Sequence, residues 1–255
     1  SCTALENVYL PESVEHIGSN AFYECSSLSY VSIPDNVEQI EQSAFYRCVN
    51  LSSVSFGESS ALKELGPYAF GSCTSLRQIT IPKGITVLQE GVLSSCEMLS
   101  SASFAEDSVL ERIGKGAFFG CSALSGFVIP DSVSTIEEDA FSNCENVIWT
   151  EDGISYVDRW VVDCEYRSSS AYDEIRLRDD TAGIADYAFS NSIKSKRYSG
   201  AFLTVVLPKQ IKAIGDGAFS DCTGLAEVNI PASVDSIGYM AFGGCENLKS
   251  VIFED

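Results

Sequence analysis

The groups in this 255-residue chain that can do chemistry are ten cysteines, 36 carboxylates and a single histidine. Nine of the cysteines recur in one pattern: Cys2, Cys25, Cys48, Cys73, Cys96, Cys121, Cys144, Cys222 and Cys245 each stand three residues before a Leu or its equivalent. A disulfide framework shows pairs at unequal spacings, and a zinc site needs CxxC or Cys/His clusters; neither is present, and His16 is the only imidazole. One thiol per period reads first as a column of small buried hydrophobes, with stacked disulfides and a metal as weaker readings. A buried thiol is inert in any compartment, so the column says little about redox setting.

Acid–base and nucleophilic chemistry find equally little support. His16 lies between Val14 and Ile17, at a slot that other periods fill with Gln39, Glu64 or Arg112, and reads as a solvated side chain. The pairs Glu137-Glu138 and Asp179-Asp180 could divide acid and base roles only if burial split their pKa values, and turn positions offer little burial. No glycine-rich phosphate loop, HExxH or GxSxG occurs. The carboxylates lack the alternating spacing of a calcium loop. The sequence therefore predicts no enzyme, no cofactor and no metal.

What positions these residues is a repeat. A Phe slot falls at Phe22, Phe45, Phe70, Leu93, Phe118, Phe141, Phe189, Phe219 and Phe242, with gaps of 23, 25, 23, 25, 23, 48, 30 and 23. A fixed period of this size marks a solenoid, whose units bury their apolar faces only against one another. Two 25-residue gaps absorb extra residues at "GESSA" (57–61) and "AEDSV" (105–109), and the 48 is 23 plus 25, one whole coil whose Phe is missing. Within a coil, Leu28, Val31 and Ile33 read as a short strand facing inward in alternation, and Pro34 closes it, having no N–H to give a ladder. Val37 and Ile40 form a second inward pair, and Ala44, Phe45 and Cys48 fall at a spacing that predicts one turn of helix or 3₁₀. Stacked coils align the strands into a parallel sheet.

These slots, as they stand in "CSSLSYVSIPDNVEQIEQSAF" (25–45), "CTSLRQITIPKGITVLQEGVL" (73–93) and "CTGLAEVNIPASVDSIGYMAF" (222–242), resemble the BspA-like leucine-rich repeats, over residues 2–149 and 175–255. The resemblance implies a right-handed leucine-rich-repeat solenoid, with its parallel sheet on the concave face, in a secreted or surface-anchored protein. It also implies that adhesion to host proteins or other cells is the commonest role. A single repeat domain spanning 1–255, itself a fragment of a longer chain, is the expected organisation, and a monomer is expected.

Two breaks in the repeat are the places where function would concentrate, because repeat slots are committed to stacking. The first, an island over 150–174, sets "GISYV" and "WVVDC" around Asp158-Arg159 and predicts a β-hairpin in place of a coil. Its Tyr156 and Trp160 either fill the space of the missing Phe or form contact surface. The second, a loop over 190–202, gathers Lys194, Lys196 and Arg197, as solvated charges or as a docking site for an acidic partner.

The outward slots of the sheet flank each inward strand residue. They read Asn7/Tyr9, Tyr30/Ser32, Ser53/Ser55, Gln78/Thr80 and Ser101/Ser103, a bland hydroxyl strip, and then turn apolar and mixed in charge around Val128, Trp149, Arg176 and Val206. Trp and Arg are enriched at binding hot spots, so Trp149 is the sharpest candidate, either in contact with a ligand or tucked under the hairpin. The net charge of −20 repels nucleic acid and anionic lipid headgroups, and no run of apolar residues is long enough to span a membrane. The leading expectation is thus a non-enzymatic module that binds a host or neighbouring-cell surface protein or glycan near the island, on a cell-surface or secreted protein. A structural stalk is the alternative, and a carbohydrate-active or calcium-dependent lectin-like protein the third.

Overall fold

The computed structural model describes residues 1–164, 174–190 and 204–254. The chain packs as two compact units, one of 1–133 with 139–148, the other of 134–138 with 149–255. Both are parallel β-solenoids with the architecture of leucine-rich repeats.

In the first unit, strands β1 (Tyr30–Ile33), β2 (Ser53–Phe56), β3 (Gln78–Ile81) and β4 (Ser101–Phe104) form a parallel sheet in chain order. Val31, Ile33, Ile79 and Ile81 are buried while Tyr30, Ser32, Gln78 and Thr80 face out, the period-two division that the sequence writes as VxI. β1 pairs with β2 over four residues, and β3 with β4 over four. Between β2 and β3, however, the register consists of Ser53 opposite Gln78 alone. Shorter pairs such as Gln39–Ile40 with Glu64–Leu65 make a second ladder behind the turns, and Val37 and Ile40 are fully buried.

The expected helical turn at each Phe is not formed: among the described residues there is no helix of either kind. The bend is instead an arc in which amides alternate between two acceptors. Ala44, Tyr46 and Cys48 donate within their own coil, to Glu41, Ser43 and Phe45; Ser43, Phe45 and Arg47 donate across, to the carbonyls of Pro67, Ala69 and Gly71 in the following coil. Alternation demands a left-handed backbone on either side of the Phe, and Ser43 (φ 55°) and Arg47 (φ 57°) supply it, as do the matching residues of other coils. A helix would turn all these amides inward and leave the neighbouring carbonyls without donors, so inter-coil bonding prevails over local propensity. Buried Phe rings stack along each unit, Phe45 on Phe70 at 5.2 Å and Phe189 on Phe219 at 4.9 Å.

The cysteine column has a bonding role in the same arc. The Phe45 carbonyl takes the Cys48 amide of its own coil and the Cys73 thiol of the next, with Sγ at 3.3 Å. The same contact links Cys96 to Phe70, Cys121 to Leu93, Cys144 to Phe118 and Cys222 to Phe189. A thiol is small and apolar enough for a packed core yet still donates weakly, which explains the slot better than Ala or Ser would. Burial pushes the Cys48 and Cys144 thiols up to about 12 and those of Cys73 and Cys96 well above the usual range.

In the second unit the chain enters through β5 (Trp149–Glu151), β6 (Ile154–Val157) and β7 (Trp160–Cys164), an antiparallel meander whose β6–β7 turn is Asp158-Arg159. Asp158 takes the left-handed conformation such a two-residue turn requires (φ 51°). β7 then pairs in parallel with Gly183–Ile184, followed by Ala213–Ile214 and Ser236–Ile237. β8 (Glu174–Arg176), β9 (Thr204–Val206), β10 (Glu227–Ile230) and β11 (Ser250–Phe253) form the second parallel sheet.

Candidate functional site

β5 is not a rung of a parallel sheet, as its outward-slot reading implied. Trp149 lies opposite Tyr156 and Glu151 opposite Ile154 in an antiparallel pair, because the island supplies β6 as a nearer partner. All three residues of β5 are exposed, Trp149 by 50%.

The island itself is core. Tyr156 and Trp160 are 2% and 3% exposed, and Val157 and Val161 are fully buried. Trp160 packs against Gly183, its register partner, where a Cβ would run into the indole. Of the two roles the sequence allows these aromatics, they hold the packing one, and they leave the set of ligand-contacting candidates. Burial also raises the Tyr156 phenol above its usual range, and its hydroxyl accepts the Arg178 amide at 3.3 Å.

Arg178 is the residue that organises the site, and it stands outside the candidates that the sequence suggests. Along "EIRLR" (174–178), Ile175 and Leu177 are buried, so Glu174, Arg176 and Arg178 share the outward phase. That alternation is the signal by which it could be found. The Arg178 guanidinium lies 4.9 Å from the Trp149 ring centroid and 5.1 Å from that of Tyr156, and it bonds Asp180 at 2.5 Å and the Asp158 carbonyl at 3.2 Å. The ring quadrupoles attract the cation, and the anchored cation fixes the indole in turn. Trp149 is thereby held in one orientation while half its surface stays open.

Beside it run two columns set by register. Arg176 lies opposite Val206, which lies opposite Asn229, then Ile252; Glu174, Thr204, Glu227 and Ser250 form the other. Arg176 bonds Glu174 at 2.7 Å in an exposed pair. A hollow of about 190 Å³ opens over Thr204, Val206, Glu227 and Asn229. The structure thus brings Arg176 and Val206 onto one sheet face. Val128, 68% exposed, belongs to the first unit and lies outside any strand. Lys194, Lys196 and Arg197 lie outside the described residues, as does the island beyond 164 up to 173.

The first unit carries a larger opening, on the strip that the sequence marks as bland. A groove of about 480 Å³ lies where β2 and β3 lose register, lined by Ser55, Gly57, Gln78, Thr80, Ser101 and Ser103 among others. The two-residue insertion in "GESSA" directly follows β2 and makes a wider turn there, with no proline to close it.

Acidic groups gather on the turns of the second unit. Asp186 Oδ1 accepts the Asp216 amide at 2.8 Å, and Asp216 Oδ1 accepts the Tyr239 amide. Burial, with Asp216, Glu137 and Glu138 nearby, raises the Asp186 carboxyl to about 6. This is a capping role, and among the described residues no set of three ligating side chains is arranged to hold a metal.

The sequence profile of the BspA type leucine-rich repeat region matches residues 1–110, 102–200 and 191–255. Among solved structures, the chain is similar to a leucine-rich repeat protein from Bacteroides ovatus, with 24% identity and a TM-score of 0.59 over 99% of this chain. It spans 62% of the length of that protein. A leucine-rich cell surface protein from Faecalibacterium prausnitzii is 25% identical, with a TM-score of 0.51 over 96% of this chain and 78% of its own. No curated protein matches the sequence.

Proposed function

Because the chain belongs to the BspA-type leucine-rich repeat family, we propose that it is a non-enzymatic module that binds a protein ligand through the second unit's face beside Trp149, in an adhesive role on a cell-surface or secreted protein. The observation that carries this reading is the half-exposed indole of Trp149, clamped by Arg178. A large aromatic that is already immobile loses little side-chain entropy on binding, and Trp and Arg dominate interface hot spots. Arg176, Val206 and Ile252 extend the surface with a mixed polar and apolar column.

The test is a panel of immobilised extracellular-matrix and host-surface proteins, followed by surface plasmon resonance on whichever are retained. Trp149→Ala and Arg176→Ala should each weaken the retained ligand by about 2 kcal/mol, roughly thirtyfold, while the melting temperature moves little. Earlier melting of Trp149→Ala with unchanged affinity would make the indole structural and remove this face as the ligand site.

One observation favours a second reading, a stalk that spaces other parts of a protein. The first unit's outward slots from Asn7 to Ser103 hold no Trp or Arg anchor for a protein partner, and their hydroxyls bond one another along the stack, Ser55 to Ser32 at 3.2 Å and Thr80 to Ser103 at 3.1 Å. A protein panel that retains nothing, on wild-type chain shown to be folded, supports it.

A further inference from the structure

We propose that the groove of the first unit is a separate binding site, and that its ligand is a neutral oligosaccharide. The first observation is charge. In a chain with 36 acidic and 16 basic residues, the outward slots of the sheet from Asn7 to Ser103 carry none of either; they hold hydroxyls, amides and two tyrosines. Glu58 and Lys83 reach the groove only from the turns at the strands' ends. A surface without charge gives nothing to a phosphate, an acidic peptide or a basic one, whereas sugar hydroxyls are matched by groups that both donate and accept.

The second observation is the supply of free hydrogen-bonding capacity. Beyond Ser53 and Gln78 the two walls have no register partners across the gap. The hydroxyls at the mouth are already oriented: Tyr30 shares a 2.8 Å bond with Ser55, and Thr80 with Ser103. Each bonded hydroxyl still has a lone pair to offer.

The third is shape. About 480 Å³ lies within the range of small-molecule sites, and the groove opens along the sheet rather than closing into a cavity, so a chain of sugar rings can lie across several coils. Tyr30 (47% exposed) and Tyr9 (87%) give ring faces at its N-terminal side for the apolar face of a pyranose. An extended peptide is the other occupant a parted ladder suggests, but the open stretch is only three residues long, and the tyrosines and hydroxyl rows would go unused.

The site does not depend on the second unit's face, so either proposal can fail alone. The probe is an array of neutral hexasaccharides of glucose, galactose, mannose and their N-acetylamines, with calorimetry on each hexasaccharide retained. Wild-type protein should retain at least one. Tyr30→Ala and Thr80→Val should each weaken it about tenfold or more, and Tyr30→Phe, which keeps the ring, should weaken it less. Deleting Glu58 and Ser59 restores a 23-residue coil and should abolish binding in a protein that still melts cooperatively. The proposal is overturned if no hexasaccharide is retained, if Tyr30→Ala and Thr80→Val both bind as wild type does, or if an uncharged heptapeptide occupies the groove in the sugar's place.

Discussion

Replacing Asp186 by Asn should stabilise the protein at neutral pH and do nothing at acid pH. In the folded chain the Asp186 carboxyl titrates at about 6 instead of 3.8, chiefly through burial, with the Asp216, Glu137 and Glu138 carboxylates adding to it and the Asp216 amide opposing it. A raised carboxyl pKa means that folding favours the protonated form. Its stabilising effect is therefore complete below the unfolded value and is lost as pH rises through about 6. A shift of roughly two units corresponds to about 3 kcal/mol as an upper bound; Asp186 is only half-buried, and solvent screening reduces this to about 1–2 kcal/mol. Asn keeps an Oδ1 for the Asp216 amide and never ionises. Denaturant melts of both proteins at pH 3.5 and 7.5 isolate the effect, since the other carboxylates titrate equally in each. The variant should match wild type at pH 3.5 and exceed it by about 1–2 kcal/mol at pH 7.5, a few degrees in melting temperature. A difference that does not change with pH, or a variant weaker at both, would refute the reasoning.

Cys73, Cys96, Cys121 and Cys222 should resist iodoacetamide in the native protein and react together once denatured, whereas exposed Cys2 should react at once; mass spectrometry after timed alkylation reads both, and native modification of Cys96 would contradict its burial. Gly91→Ala should cost about 2 kcal/mol in thermal melts despite its position on a turn, because Gly91 has φ +58° and an added Cβ would run into the Tyr68 ring; a silent substitution would mean that the two coils do not hold this packing.

The repeat is legible because burial in a solenoid is periodic: Phe45, Ile40 and Leu28 occupy slots that recur at one spacing, and each is fully buried. The arc is misleading for a physical reason. Spacing of Ala44, Phe45 and Cys48 is the same for a helical turn and for an arc bonded to the next coil, and only the partners of the amides distinguish them. Trp149 is visible as an aromatic in an outward slot, yet the sequence does not say which strand it pairs with, and so the antiparallel partner Tyr156 and the clamp by Arg178 stay hidden. The parting of β2 from β3 is hidden too: "GESSA" shows an insertion, but whether a wider turn bulges outward or separates the strands depends on packing.

The crossing amides of the arcs all run one way. Asn20, Phe22 and Glu24 donate to Gln42, Ala44 and Tyr46, and Gly217, Phe219 and Asp221 donate to Tyr239, Ala241 and Gly243. Each arc therefore has a donor side and an acceptor side, and the amides of the second ladder, such as Glu41 to Ile17 and Gly66 to Ile40, run the other way, so the two edges of a coil differ like those of a building brick. A coil cannot be turned over in its stack, but within a unit a whole one can be gained or lost with both new seams still matched. Since the seam is made of backbone, one thiol and the buried side chains, the outward residues are free to diverge while the stack beneath them stays the same. Such a chain can change its length by tandem duplication and its surface by point mutation, two kinds of variation that do not interfere.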